Sequence, residues 1–320
     1  MLEIQEQKQR DERQAAEPFS TERAPIQSIE ILARTPVVTA RKLLCYRTFL
    51  WFAGHVKIDQ QKCVACGNCI PVCPMGAISI DATKNRAEVN ADQCVECYTC
   101  FRGMSMEKLN PTMVRTIRGV LKLFRLRFDP EPDVCPTSAI TPDELAWPRI
   151  VRRVFSDPQV PHESTGVHGR GTEEVKTNDV TNRVGLGEAG YVVEFGRPTV
   201  GVRFRDIEKM TNALAAMGIQ FEPNNPVTHL MVDKTSGKLR EDILNEKILS
   251  AIVEFKTRIE NVPAVLLRVD EVSKTLDTVV AVGVSTKCDL DGESALDEVL
   301  VQEGFSFVRG KTNLGLGRTV

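Results

Sequence analysis

The 320-residue chain lacks a charge excess of either sign: 41 basic and 43 acidic residues leave a formal net charge of −2. Such a balance supplies no overall pull toward nucleic acid or an anionic membrane. No apolar run reaches the roughly 18 residues that a spanning helix needs. The nearest approach, residues 43–56, is interrupted by Arg47 and His55. A peripheral association with a membrane complex stays open. No secretory signal pattern opens the chain, which sets aside a disulfide framework and predicts a reducing, cytoplasmic setting. Catalytic constellations are missing too. His229 is the only histidine beyond residue 190, and neither Cys45 nor Cys288 has a neighbouring His–Asp pair to activate it. His229 is expected in a strand as a core residue, Cys288 in an exposed turn, and Cys45 buried and inert.

What the chain does have is patterned cysteine. Eight of its ten cysteines form two runs. Cys63, Cys66, Cys69 and Cys73, followed by Pro74, spell C-x2-C-x2-C-x3-C-P. Cys94, Cys97 and Cys100 repeat the triad 31 residues later, but Met104 stands where a fourth cysteine is due. That cysteine arrives as Cys135, and the tails match: Cys-Pro-Met-Gly-Ala-Ile after Cys73, Cys-Pro-Thr-Ser-Ala-Ile after Cys135. The pattern reads as one motif duplicated, its second copy split by an insertion. Three cysteines spaced by two residues can wrap one face of a [4Fe–4S] cube, with the fourth thiolate coming from elsewhere in the chain.

Residues 56–142 resemble the bacterial two-cluster 2[4Fe–4S] ferredoxins. In that family the fourth cysteine of a run ligates the other cluster. The resemblance therefore implies two [4Fe–4S] clusters, one held by Cys63, Cys66, Cys69 and Cys135, the other by Cys94, Cys97, Cys100 and Cys73. Structural zinc is the plain alternative, but zinc takes four ligands, commonly as two separated pairs, and successive triads exceed that. A single cluster or a [3Fe–4S] variant also stays open.

Five segments follow. Residues 1–28 are a polar tail or arm, too charged to order on their own. Residues 29–56 are apolar. Residues 57–150 are the ferredoxin unit, with short strands expected at Ile58 and Val89 before the triads and at residues 77–80 and 139–140 after the Cys-Pro pairs. The insertion, 101–134, contains an amphipathic helix from Pro111. Met113, Ile117, Leu121, Phe124 and Phe128 recur on one face, beside a basic stripe of Arg115, Arg118, Lys122 and Arg125. Residues 151–190 are Gly-rich and polar, as an interdomain linker or docking segment would be. Their G-x-G-x-x-G match, 185–190, leads into a strand rather than a helix, which argues against a dinucleotide site. Residues 191–320 predict an α+β domain. Strands are expected over 192–195, 200–204, 219–221, 228–232, 264–269 and 278–284, with helices over 206–218, 241–255 and 293–301. The order β-α-β-β-α-β suggests a ferredoxin-like or ACT-like sandwich.

A ferredoxin unit needs only about 60 residues, and the additions here look like docking surface. The expectation is an electron-transfer subunit of a larger oxidoreductase, passing single electrons between a soluble donor and a redox subunit that is a flavoprotein or metalloenzyme. Two alternatives remain. One is an iron–sulfur sensor whose ACT-like domain binds a metabolite. The other is a catalytic subunit with its active site in 191–320.

Overall fold

The computed structural model describes residues 26–31, 54–104, 108–126, 134–172, 183–289 and 292–313. The segment 32–53, including Cys45, and Phe128 lie outside them.

The N-terminal unit is small and two-fold repetitive. Strand β2 (Lys57–Ile58) precedes the first triad and helix α1 (Cys69–Val72) follows it; β3 (Ile78–Asp81) comes after the first Cys-Pro pair. Strand β4 (Arg86–Val89) and helix α2 (Thr99–Arg102) stand in the same relation to the second triad, and β5 (Ile140–Thr141) follows Cys135. Pairing is crossed. β2 pairs antiparallel with β5 (Ile58 opposite Ile140), and β3 with β4 (Ile78 opposite Val89). Each strand that leads into a triad is thus stitched to the strand that trails a Cys-Pro pair.

The insertion contains helix α3 (Pro111–Leu123). Asn110 caps it by accepting from the Thr112 and Met113 amides, and Pro111 supplies a preset φ at the first helical position. The helix packs differently from the expected stripe. Only Val114 is buried, while Met113 and Phe124 on the apolar face are exposed. Arg125 lies past the helix end. The insertion closes at its base: Val134 N–H donates to Gly103 O at 2.7 Å, and Met104 and Cys135 form a parallel bridge. Cys135 therefore sits beside Met104, the position at which the duplicated motif lost its cysteine.

The C-terminal unit is built on a six-stranded sheet in the order β14-β1-β13-β6-β12-β8. Its strands are β1 (Ile26–Ile31), β6 (Glu188–Phe195), β8 (Gln220–Phe221), β12 (Ala251–Arg258), β13 (Val280–Lys287) and β14 (Val308–Asn313). Short ribbons pair β7 (Val202–Arg203) with β11 (Lys247–Ile248) and β9 (Met231–Asp233) with β10 (Lys238–Leu239). Helices α4 (Ile150–Ser156), α5 (Phe204–Ala215), α6 (Pro226–His229), α7 (Val262–Ser273) and α8 (Ala295–Gln302) complete the unit. Alternate residues of the central strands, Tyr191, Val193 and Phe195 on β6 and Val253 and Phe255 on β12, face one core shared with residues of α4, α5, α7 and α8.

Several expectations are corrected here. Residues 241–255 are not a helix. After a short 3₁₀ turn they form β11 and most of β12, where Ala251, Val253 and Phe255 enter the core with a period of two. Residues 264–269 are helical, not extended. Val262, Val265, Leu266, Val269 and Val272 are buried at helical spacing, and Pro263 sits in the first turn. The two errors exchange a strand and a helix, so the β-α-β-β-α-β order survives. His229 ends the short helix α6 and is exposed, because Asn225 caps that turn. Cys288 is buried rather than exposed. The expected strand over 200–204 shrinks to β7, since Phe204 opens α5. The boundary at residue 28 runs through β1, which pairs with both β13 and β14.

The expected linker is not free either. Its first stretch is α4, and residues 157–172 turn on glycines with positive φ at 166, 169 and 171. Arg170 pairs with Glu194, and the Thr172 hydroxyl donates to Glu254, on the sheet face opposite the main core. The segment is laid over the domain's own sheet, where it adds partners to buried carboxylates; Glu254 also accepts from Asn225 and pairs with Arg183.

Helix α4 belongs to both units. Val151 and Phe155 are buried in the C-terminal core, where Phe155 packs edge-to-face on Phe204 with centroids 5.3 Å apart. Phe204→Ala is expected to cost about 3–5 kcal/mol of stability through the cavity it leaves. Guanidinium denaturation of the full chain reads this directly, and a loss under 1 kcal/mol would show that α4 is not anchored there.

Candidate iron–sulfur centre

The two triad loops have the same backbone conformation. In the first, Ala65 and Gly67 take positive φ (54° and 84°); in the second, the equivalent Glu96 and Tyr98 do (57° and 56°). Glycine pays nothing for this conformation, whereas a left-handed tyrosine is strained. Tyr98 is held by its surroundings, buried with Arg153 stacked 4.4 Å from its ring centroid. Chains that alternate right- and left-handed residues form concavities lined by N–H groups, which hold anions.

The flanking hydrogen bonds repeat with the same 31-residue offset. Cys63 N–H donates to Asp59 O at 2.8 Å and Cys94 N–H to Asn90 O at 2.9 Å. The Asp59 carboxylate accepts from the amides of Gln61 and Lys62, and the Asn90 side chain from those of Asp92 and Gln93. Asp59 N–H donates to Ala139 O, and Asn90 N–H to Ala77 O. The tails match in turn. Ala77 N–H donates to Cys73 Sγ and Ala139 N–H to Cys135 Sγ, both at 3.2 Å, and Gly76 and Ser138 share positive φ.

The fold gathers four of the thiols round one space. Cys73, Cys94, Cys97 and Cys100 line one enclosed space with Val56, Ile78 and Tyr98. Cys135 lies close enough to Cys66 and Cys69 to bear on their ionisation, as does Cys63, and Cys100 bears on Cys69 as well. The Thr137 hydroxyl, two residues after Cys135, donates to Lys62 O at 2.8 Å, beside Cys63. Burial pushes Cys69, Cys94 and Cys100 up to about 12, with neighbouring thiols adding to the rise. Burial also raises Cys66, against which the Asn68 amide and Arg118 work. Without a metal these groups are neutral thiols, and metal binding must displace their protons. None of the nine described cysteines is in a disulfide. Among the described residues no three His, Cys, Asp or Glu side chains converge on a single ion. The donor set fits iron–sulfur ligation: clustered buried thiols, amides donating to sulfur, and loops shaped for an anion.

Arginines clamp both loops, and sequence reasoning missed this. On the second, Arg152 of α4 donates to the carbonyls of Ala91, Asp92 and Cys94 at 3.2, 3.0 and 2.8 Å, and its Nε to Glu246. Arg149 donates to Ala91 O and pairs with the buried Glu96, which also accepts from the Val56 amide. Arg102 donates to Cys97 O at 2.6 Å and pairs with Asp157. On the first loop, Arg115 of α3 donates to Gln61 O and, at 3.0 Å, to Cys63 O. Gln61 and Cys63 are the 31-residue equivalents of Asp92 and Cys94. Two helices unrelated in sequence position thus present a guanidinium to the same pair of carbonyls. Arg115 belongs to the expected basic stripe, but it faces the loop. No local signal announces these arginines, because their acceptors are backbone atoms.

Among the described residues no helix is long and apolar enough to cross a membrane.

The comparisons fall on this unit. Residues 55–103 match the profile of the 4Fe-4S dicluster domain. Similar proteins include the putative electron transport protein YsaA of Escherichia coli, 28% identical over 79 residues, which cover 25% of this chain and 49% of that protein. Ferredoxin-1 of Rhodobacter capsulatus is 48% identical over 42 residues, 13% of this chain and 62% of its own length. The pyruvate synthase subunit PorD of Methanocaldococcus jannaschii is 37% identical over 55 residues, 17% and 63% of the two chains. The chain thus spans between about half and just under two thirds of these relatives. No solved structure matches it. Residues 55–103 are thus similar to an iron–sulfur domain of the 4Fe-4S dicluster type.

Proposed function

We propose that the chain is the electron-transfer subunit of a larger cytoplasmic oxidoreductase, relaying single electrons through two [4Fe–4S] clusters. Cys63, Cys66, Cys69 and Cys135 hold one cluster, and Cys94, Cys97, Cys100 and Cys73 the other. The observation that carries this reading is the repeat itself. Loop φ angles and the carbonyls that the arginines clamp recur at a 31-residue offset, and the amide-to-thiol bond behind each Cys-Pro pair is made in both halves. The crossed strand pairing supports the crossed ligand sets, since it draws the Cys135 tail to the first triad. Bound clusters supply reversible one-electron chemistry at low potential. The chain's residues exclude water, fix the thiols and place positive charge against the loops.

Membership of a complex is supported by the name of the PorD relative, a pyruvate synthase subunit. Here the partner is a flavoprotein or metalloenzyme, fed by a soluble donor. The C-terminal unit reads as a ferredoxin-like sandwich of the split β-α-β type. Taking β6, β8, β12 and β13 as its first to fourth strands, their spatial order is fourth, first, third, second, all antiparallel. An open cleft of about 490 Å³ beside β8, lined by Arg183, Glu222 and Lys256, favours a second reading, a metabolite-sensing role for this domain.

Anaerobically purified protein is expected to carry about eight iron and eight sulfide per chain and to reduce reversibly at low potential. Two zinc per chain, with no iron after anaerobic reconstitution, would overturn the reading. Metabolite binding by the isolated full chain, with no partner copurifying, would favour the sensor.

A further inference from the structure

The two triad loops differ most in what lies outside them. The second is covered by the chain's own α4, with Arg149, Arg152 and Arg153 against it. Among the described residues, the first borders open space. Between it and α3 runs a cleft of about 490 Å³, lined among others by Ala65, Arg86, Arg115, Arg118, Lys122 and Leu126. Four of those side chains are cationic, and among the described residues no carboxylate lines it. Arg86 and Arg115 bond backbone carbonyls of residues 60, 61, 63 and 85, which leave their charge in place. Nearby acids are engaged otherwise: Asp59 with Lys62, and Glu88 with Lys84. Beyond the basic floor stands an apolar rim. Leu123, Phe124 and Leu126 are 82%, 69% and 61% exposed.

We infer that this cleft is the docking site for an acidic surface of a protein redox partner, so that electrons enter or leave through the first triad loop. The inference rests on the electron-transfer reading above. Charge complementarity identifies the occupant, because a concave floor of like charges admits a protruding acidic element. The apolar rim supplies the contact that a small anion could not use. A bilayer surface is flat and would reach the rim but not the floor.

Gly119 offers a clean test. It lies on the cleft side of α3, and a β-carbon there meets nothing within 4 Å. Replacing it also favours the helix by up to about 1 kcal/mol, so folding is not at risk. The full, cluster-loaded chain is reduced and mixed with an acidic flavodoxin or with a basic cytochrome c, and association is followed in parallel by calorimetry. Gly119→Glu combined with Lys122→Glu should slow transfer to the flavodoxin about tenfold at low salt, and less than twofold at high salt, where screening acts over only a few ångströms. Gly119→Lys should speed it. Toward cytochrome c the signs reverse.

Flavodoxin transfer and binding that ignore both the substitutions and the salt would overturn the inference. So would charge-sensitive binding to anionic vesicles without any to flavodoxin, which would make the cleft a lipid site. Failure to reduce either acceptor, with clusters present, would remove the electron-transfer reading and this inference with it.

Discussion

Cys135→Ala is expected to strip iron from the cluster of Cys63, Cys66 and Cys69, and to spare that of Cys94, Cys97 and Cys100. Cys73→Ala should do the converse. Each single substitution takes total iron from about eight per chain toward about four. The assignment is read from pairs of substitutions, because groups serving one cluster are not additive. Cys135→Ala added to Cys69→Ala should cost little further iron, whereas Cys135→Ala added to Cys100→Ala should empty the chain. If instead Cys135 pairs non-additively with Cys100, each Cys-Pro cysteine serves its own run and the crossed sets are wrong. The crossed expectation has a structural route. Ala139 O accepts from the Asp59 amide and Thr137 donates to Lys62 O, so the Cys135 tail is bonded to the strand entering the first triad. The Asn90 amide does the same for Ala77, behind Cys73.

The cysteine framework was legible because its information is local. Spacings of two and three residues, and a Cys-Pro pair with matched tails, specify loop geometry without reference to distant chain. The repeat strands were legible for the same reason. What failed were elements whose identity is decided by packing. Residues 251–258 and 262–273 are both rich in β-branched and aliphatic side chains, and only the core decides that the first alternates and the second winds. The pairing of residues 26–31 between β13 and β14 spans most of the chain, and nothing near them encodes it. The fate of the apolar face of α3 was not legible, because periodicity shows which residues share a face, not whether anything covers it. The arginine clamps were invisible for a different reason. Carbonyl oxygens occur at every residue, so a sequence cannot say which of them an arginine will find.

Those clamps carry the second large effect. Arg152 is 5% exposed and holds three loop carbonyls together with Glu246. Arg152→Ala leaves that largely buried carboxylate and the carbonyls without their donor. Breaking such a set costs about 3–5 kcal/mol. The cluster of Cys94, Cys97, Cys100 and Cys73 should then be lost selectively when the protein is challenged with an iron chelator. Arg115 is only partly buried and makes fewer bonds, so Arg115→Ala should cost about 1–2 kcal/mol and touch the other cluster alone. Stability by itself would not separate a clamp from any buried arginine, but reduction potential does. A reduced cluster carries one more negative charge, and a cation beside its loop favours it. Arg152→Gln should therefore lower one midpoint potential and Arg115→Gln the other. Arg152→Lys keeps the charge but cannot span the carbonyls and Glu246 with one planar fork. It should restore the potential while leaving the cluster chelator-sensitive. If either glutamine substitution shifts both potentials equally, or neither, the arginines do not act loop by loop. The matched contacts to Gln61 and Cys63, and to Asp92 and Cys94, would then be shared geometry without shared consequence.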